Sequence, residues 1–134
     1  MSEWQEHKEV IRWFREEFPE YYQCTRLSLN GVNLPAGKTA AIMINQFKAQ
    51  GMVKGEADLF FAVPSIRFHG LFVEMKAETG GKVSEEQRGY LDTMSLLGYQ
   101  AKVTAGAEAA KEVISHYMED AFILHEHGPH EGYH

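Results

Sequence analysis

Apolar residues recur along this chain with two different periods, and the switches between them mark its elements. Trp4, Val10, Ile11, Phe14 and Phe18 return at helical spacing. Ser2 followed by Gln5 is a capping-box pair that opens this helix, and Pro19 closes it. Cys24 to Leu29 alternates weakly and predicts a strand, ended by the turn dipeptide Asn30-Gly31. Residues 38–50 predict a second helix, with Ala40, Ala41, Ile44 and Phe47 on one face and Gly51 as its stop. Asp58 to Val63 and Leu71 to Ala77 are apolar runs of strand length. Gly80-Gly81 is a turn, and Ser84 with Gln87 repeats the capping box. The third helix carries Tyr90, Leu91, Met94 and Leu97, with Gly98 at its C-terminal cap. Tyr99 to Val103 reads as a strand, and Glu108 to Met118 as a last helix with Ala110, Val113, Ile114 and Tyr117 inward. With the second helix set aside as an insertion, the order is αβββαβ plus a closing helix.

The two central runs place chemistry. If they pair as an antiparallel hairpin whose loop centres on Ile66, residues whose numbers sum to 132 face each other, and Asp58 lies opposite Glu74. Residues two apart on a strand share a face, so Glu74 and Lys76 point the same way while Val73 and Met75 turn to the other. Two carboxylates and one ammonium then share one surface. Hard oxygen ligands suit Mg²⁺ or Mn²⁺. A lysine beside them orients water or stabilises developing negative charge. Alone, a Glu-x-Lys pair on a strand is most often a solvated face.

More of a constellation surrounds it. Glu3 and His7 lie in the first helix, Asn30-Gly31 follows the first strand, and Gly55-Glu56-Ala57-Asp58-Leu59 opens the hairpin. Gly70-Leu71-Phe72-Val73-Glu74-Met75-Lys76 and Gly80-Gly81-Lys82-Val83-Ser84-Glu85-Glu86-Gln87 follow in order. In order and spacing these segments resemble the VRR-NUC family of the PD-(D/E)XK nuclease superfamily, in its compact stand-alone, phage-type form, over about residues 3–118. The resemblance implies a restriction-endonuclease-like α/β fold and metal-dependent hydrolysis of DNA phosphodiesters. It assigns Asp58, Glu74 and the backbone carbonyl of Met75 to the metal, and Lys76, Gln87 and Glu3 to catalysis and to contacts with metal or water. It also implies branched DNA as substrate, with Holliday-junction resolution as the plausible activity and a homodimer as the working form. Two positions depart from the family pattern: Ala57 stands where proline is usual, and His7 where glutamine is usual. The proline shapes a turn and holds no metal. His7 in the glutamine's place introduces pH dependence.

Composition alters this picture little, apart from charge. The net charge of −6 is unusual for a DNA-binding chain. Acids at a metal site account for part of it. Lys38, Lys48, Lys54, Arg67, Lys82 and Arg88 flank the motifs in sequence, and Lys38, Lys48, Lys82 and Arg88 are the expected phosphate contacts. Tyr21, Tyr22 and Phe68 are candidates for stacking on bases, with core packing as the simpler use. Cys24 is the single cysteine, so an internal disulfide is excluded and a reducing, cytoplasmic setting is expected. The first residues are polar and charged, unlike a signal peptide, and no apolar run approaches the roughly 20 residues of a membrane span. Residues 1–120 are expected to form the nuclease domain and 121–134 a flexible histidine-rich tail. For the dimer contact, Val32, Leu34, Ile42, Met43 and Phe47 are the available apolar residues. Three alternatives stay open: a catalytically silent DNA-binding or assembly protein on this fold, a general single-strand or flap nuclease, and a metal-binding interaction domain with the histidine-rich tail as its ligand set.

Overall fold

A computed structural model of the chain describes residues 2–28 and 37–123. Ser2 caps α1 (Glu3–Glu17) by the reciprocal bonds of the expected capping box: Gln5 N–H donates to Ser2 Oγ at 3.2 Å and Ser2 N–H to Gln5 Oε1 at 2.8 Å. A 3₁₀ segment, Pro19–Cys24, leads into β1 (Thr25–Leu27). Then come α2 (Lys38–Ala49), β2 (Leu59–Phe61), β3 (Leu71–Lys76), α3 (Glu85–Leu96), β4 (Gln100–Ala105) and α4 (Gly106–Met118). The αβββαβ core with an inserted helix and a closing helix is therefore present. The Asn30-Gly31 turn, Val32, Leu34 and the histidine-rich segment fall outside the described residues.

The sheet runs β1-β2-β3-β4, antiparallel across the first two pairings and parallel between β3 and β4. Leu59 pairs with Val73, Phe60 with Phe72 and Phe61 with Leu71, which is the register expected from a loop centred on Ile66. Strand β2 is shorter than its apolar run. The Val63 carbonyl accepts from the Tyr117 hydroxyl at 2.7 Å instead of joining the ladder, and Pro64 has no N–H to offer. Strand β4 is longer than expected, because it follows β3 in parallel as far as Lys76↔Ala105.

The alternating faces of β3 divide the core. Val73 and Met75, fully buried, pack with Leu59, Phe61 and Leu71 against Val10 and Phe14 of α1 and Ala110, Ile114 and Tyr117 of α4. Phe72 turns to the other face, where Leu91, Tyr90 and Met94 of α3 cover it. Three layers result, α/β/α, with a central strand buried at Leu71 through Met75 as a two-sided strand must be. Several expected inward residues are not inward. Trp4 is 47% exposed, and the Lys8 ammonium lies 5.4 Å from its ring centre. Leu97 is 59% exposed because α3 has ended: Leu97 is the cap, and Gly98 follows at φ 97° as the left-handed residue that stops the helix. Helix α2 has an apolar stripe, yet none of its residues is buried. Ala121 bridges to Ser65 and Phe122 N–H donates to the Pro64 carbonyl, so contacts with the domain continue past residue 120. Among the described residues no helix is long and apolar enough to cross a membrane.

Candidate active site

Strands β3 and β4 run parallel and end together, at Lys76 and Ala105. The chain turns there into α4 at Gly106, and α3 begins at Glu85 after a short turn from β3. The first turn of α1 reaches the same end. Carboxyl ends of strands and amino ends of helices thus converge, as they do in open α/β sheets that bind ligands. The tip of the β2–β3 hairpin is at the opposite end.

Asp58 immediately precedes β2, one register step from Leu59↔Val73 and thus opposite Glu74. It is buried, and its Oδ2 accepts from the Met75 N–H at 2.8 Å. An extended residue aims its N–H and C=O at the same strand edge, so the Met75 carbonyl faces the Asp58 side as well. Gly55 makes this approach possible. Its φ is 84°, and a Cβ there would lie 2.6 Å from the Glu86 carbonyl carbon, so only glycine lets the loop before Asp58 abut the start of α3.

Glu74 is 1% exposed. Its Oε2 accepts from Gln87 Nε2 at 3.0 Å and lies 3.4 Å from Lys76 Nζ. Its Oε1 is buried with no hydrogen-bond partner among the described residues. Lys76 Nζ also donates to Gln87 Oε1 at 2.9 Å, and the same oxygen caps α3 by accepting from Ser84 N–H at 2.9 Å. Gln87 is therefore cap and site residue at once.

From α1, Glu3 and His7 project onto one face at i, i+4 spacing. His7 is 3% exposed; its Nε2 lies 3.5 Å from Asp58 Oδ2 and 3.9 Å from Glu3 Oε1. The first distance exceeds a good hydrogen bond, and neither ring nitrogen makes one among the described residues. One potential ligand atom from each of Glu3, His7 and Asp58 lies within 4.8 Å of the other two.

The charges at this site strain against one another. Burial, then the Asp58 charge beside it, push the Glu74 carboxyl up to about 7, against the pull of Lys76. Burial opposes charge on Asp58 too, but His7 and the Met75 N–H outweigh it and hold that carboxyl below its ordinary range. On His7, burial disfavours the imidazolium, and the contact with Asp58, aided by Glu3 and Glu74, more than offsets it and raises the pKa. The Glu74 oxygen without a donor and the pair of opposed carboxylates make a site short of positive charge. Carboxylate oxygens and an imidazole nitrogen are a donor set suited to a divalent cation.

The expected basic residues distribute unevenly. Lys38 and Lys48 lie exposed on α2, and Lys82 and Arg88 are exposed before and within α3. Lys54 Nζ is 3.3 Å from Glu86 Oε1 at the start of α3. Arg67 lies at the hairpin tip beside the Phe68 ring, at the far end from Asp58 and Glu74, and so does not flank the site. Tyr21 is buried, with its hydroxyl on the Phe122 carbonyl, and Phe68 packs against the core near Tyr117; both serve packing. Glu56 turns toward α3, where its charge adds to burial in raising the Tyr90 phenol.

Sequence reasoning missed a groove of about 390 Å³ between α1 and β1, lined by Trp4, His7, Lys8, Ile11, Arg15 and Leu27 with Thr25. The Arg15 guanidinium stacks 4.3 Å over the exposed ring of Tyr22 beside it. Lys8 and Arg15 flank positions already read as helical, so their helix face was legible; the opposing wall from β1 was not.

No family model and no curated protein matches this chain. In fold it is similar to a VRR_NUC domain protein of known structure, with a TM-score of 0.71 at 20% sequence identity, covering 90% of each chain. The similarity shows the fold.

Proposed function

We propose that this chain is a metal-dependent endonuclease that hydrolyses DNA phosphodiester bonds, a VRR-NUC-type enzyme selective for branched structures such as Holliday junctions. The observation that carries the reading is Glu74: a buried carboxylate set opposite Asp58, held by Gln87 and Lys76, with one oxygen left without a donor among the described residues. A carboxylate in that position is costly unless a cation completes it.

Asp58, Glu74 and the Met75 carbonyl would hold Mg²⁺ or Mn²⁺, with Glu3 of α1 contributing to the set. Such an ion, when bound, acidifies a water and neutralises charge on the scissile phosphate. Lys76, fixed by two bonds at the mouth of the site, orients the attacking water and stabilises the charge that develops on the phosphoryl oxygens. Gln87 keeps Glu74 and Lys76 in register with the amino end of α3, where backbone N–H groups favour an anion.

Two features favour a distorted or single-stranded segment over plain duplex. The groove beside His7 sets an aromatic ring and cationic side chains next to the site, the combination that holds an unstacked base and its phosphate. The net charge of −6 disfavours a long duplex footprint on one copy of the chain. A symmetric dimer through α2, whose Ile42 is 50% exposed and whose Phe47 is only half-buried, would supply two sites and join the basic segments of both copies, with Lys38, Lys48, Lys82 and Arg88 on phosphates. The test is a cleavage assay with Mg²⁺, Mn²⁺ and EDTA on duplex, single-stranded, flap and four-way-junction DNA. Metal-dependent cutting strongest on the junction supports the reading, cutting of single strands and flaps alone gives the simpler nuclease, and binding without cutting gives the silent protein.

A further inference from the structure

We propose that His7 is itself a metal ligand, and that Glu3, His7 and Asp58 form a mixed nitrogen–oxygen site that selects Mn²⁺ over Mg²⁺. The inference rests on the reading of this region as a metal site and goes beyond it in ligand and in ion.

His7 is where the case begins. A histidine this deeply buried normally donates or accepts through both ring nitrogens. Here neither nitrogen makes a hydrogen bond among the described residues, and Nε2 points between two carboxylates. Ligand atoms at about 2.1 Å around an octahedral ion are about 3.0 Å apart when adjacent and about 4.2 Å when opposite. The observed separations of 3.5 Å to Asp58 and 3.9 Å to Glu3 fall between those values. Glu3 is the exposed member, with a side chain 52% exposed, at the solvent side of the set. Asp58 is the fixed member, held by the Met75 N–H. The helix supplies two ligands one turn apart and the sheet supplies the third, so the set exists only because α1 crosses the sheet end at this angle.

Ligand type determines the ion. Mg²⁺ favours all-oxygen surroundings and gives up water reluctantly. An imidazole nitrogen strengthens binding along the transition series while adding little for Mg²⁺. A glutamine in place of His7 would return the set to oxygen and remove that bias.

The other use of His7 is as an imidazolium clamped to Asp58. It predicts the opposite sign, because a fixed positive charge beside the site repels an incoming cation. Calorimetric titrations of Mn²⁺ and of Mg²⁺ into wild-type protein, His7→Gln and Asp58→Asn therefore separate the two. A His7 ligand gives Mn²⁺ affinity about 10- to 100-fold weaker in His7→Gln, at least the loss that disturbing a partner outside the ligand set causes, with Mg²⁺ affinity little changed. Unchanged or tighter Mn²⁺ binding in His7→Gln, with binding lost in Asp58→Asn, overturns the inference and leaves the metal site standing. Unchanged binding in Asp58→Asn overturns the site itself. Should His7→Gln not fold, electron spin echo envelope modulation of Mn²⁺ on wild-type protein gives the answer directly. A directly coordinated imidazole nitrogen, replaced by its ¹⁵N signature on histidine labelling, supports the ligand, and its absence overturns it.

Discussion

Replacing Glu74 by glutamine removes a charge but keeps the shape, and its consequence for stability follows from the site's electrostatics. In the metal-free protein the Glu74 carboxyl is pushed from an ordinary 4.5 up to about 7, first by burial and then by Asp58. A raised folded-state pKa means that the native state holds this proton more tightly than the unfolded chain. The associated stability is complete below about pH 4.5 and is lost as pH rises through about 7. At about 1.4 kcal/mol per pH unit, ionised Glu74 costs the metal-free fold at most roughly 3 kcal/mol at pH 8. Glu74→Gln should therefore match wild type at pH 4.5 and exceed it by up to that amount at pH 8. For a domain of this size the gap in Tm is about 10 °C. Thermal melts of both proteins in EDTA at pH 4.5, 6, 7 and 8 measure it. Mn²⁺ at pH 8 should close or reverse the gap, because the cation binds wild type, with its extra carboxylate, more tightly than the variant. A gap that stays constant with pH, or a variant less stable than wild type at pH 8, refutes the electrostatic account of the site.

Lys76→Ala should leave a folded protein, since the half-buried side chain stands at the end of β3, and should lower cleavage by about 10²- to 10³-fold in single-turnover assays; full activity would remove lysine from the mechanism. Asp58→Asn should abolish calorimetric Mn²⁺ binding at micromolar protein, and undiminished affinity would place the ion elsewhere. Phe47→Glu should convert a dimer to a folded monomer in sedimentation runs, one that nicks single strands but no longer makes paired cuts in a junction. A wild-type monomer that makes paired cuts would exclude the α2 interface.

Much of this architecture is legible in the sequence, and the reasons differ from element to element. Both capping boxes announce themselves, because Ser2/Gln5 and Ser84/Gln87 meet within three residues and depend on nothing distant. The hairpin register is legible because a connection centred on Ile66 sets Val73 and Met75 with Leu59 and Phe61 in the core packed against α1 and α4. The same hairpin misleads about Arg67 and Phe68. They are near Asp58 and Glu74 in sequence, yet a hairpin's tip and its open end are as far apart as its strands are long. Helix α2 carries the apolar stripe that ordinarily signals a buried face, but a stripe specifies only that something should cover it, and no residue of α2 is buried among the described residues.

His7 and Gln87 mark the limit more sharply. The i, i+4 spacing of Glu3 and His7 is visible in the sequence, whereas the approach of that helix face to Asp58 depends on the crossing of α1 over the sheet, set by Val10 and Phe14 packing on β3. Gln87 presents the converse case. A capping glutamine uses its carbonyl oxygen and leaves its amide nitrogen free, so capping and holding a carboxylate never compete for the same atom. Nothing in the sequence ranks those two uses, because the side chain performs both: Oε1 on Ser84 N–H, Nε2 on Glu74. The first turn of α3 is thereby tied to the site it borders. A substitution that only breaks the cap should loosen Glu74 as well, and one that only removes Glu74 should leave the cap intact.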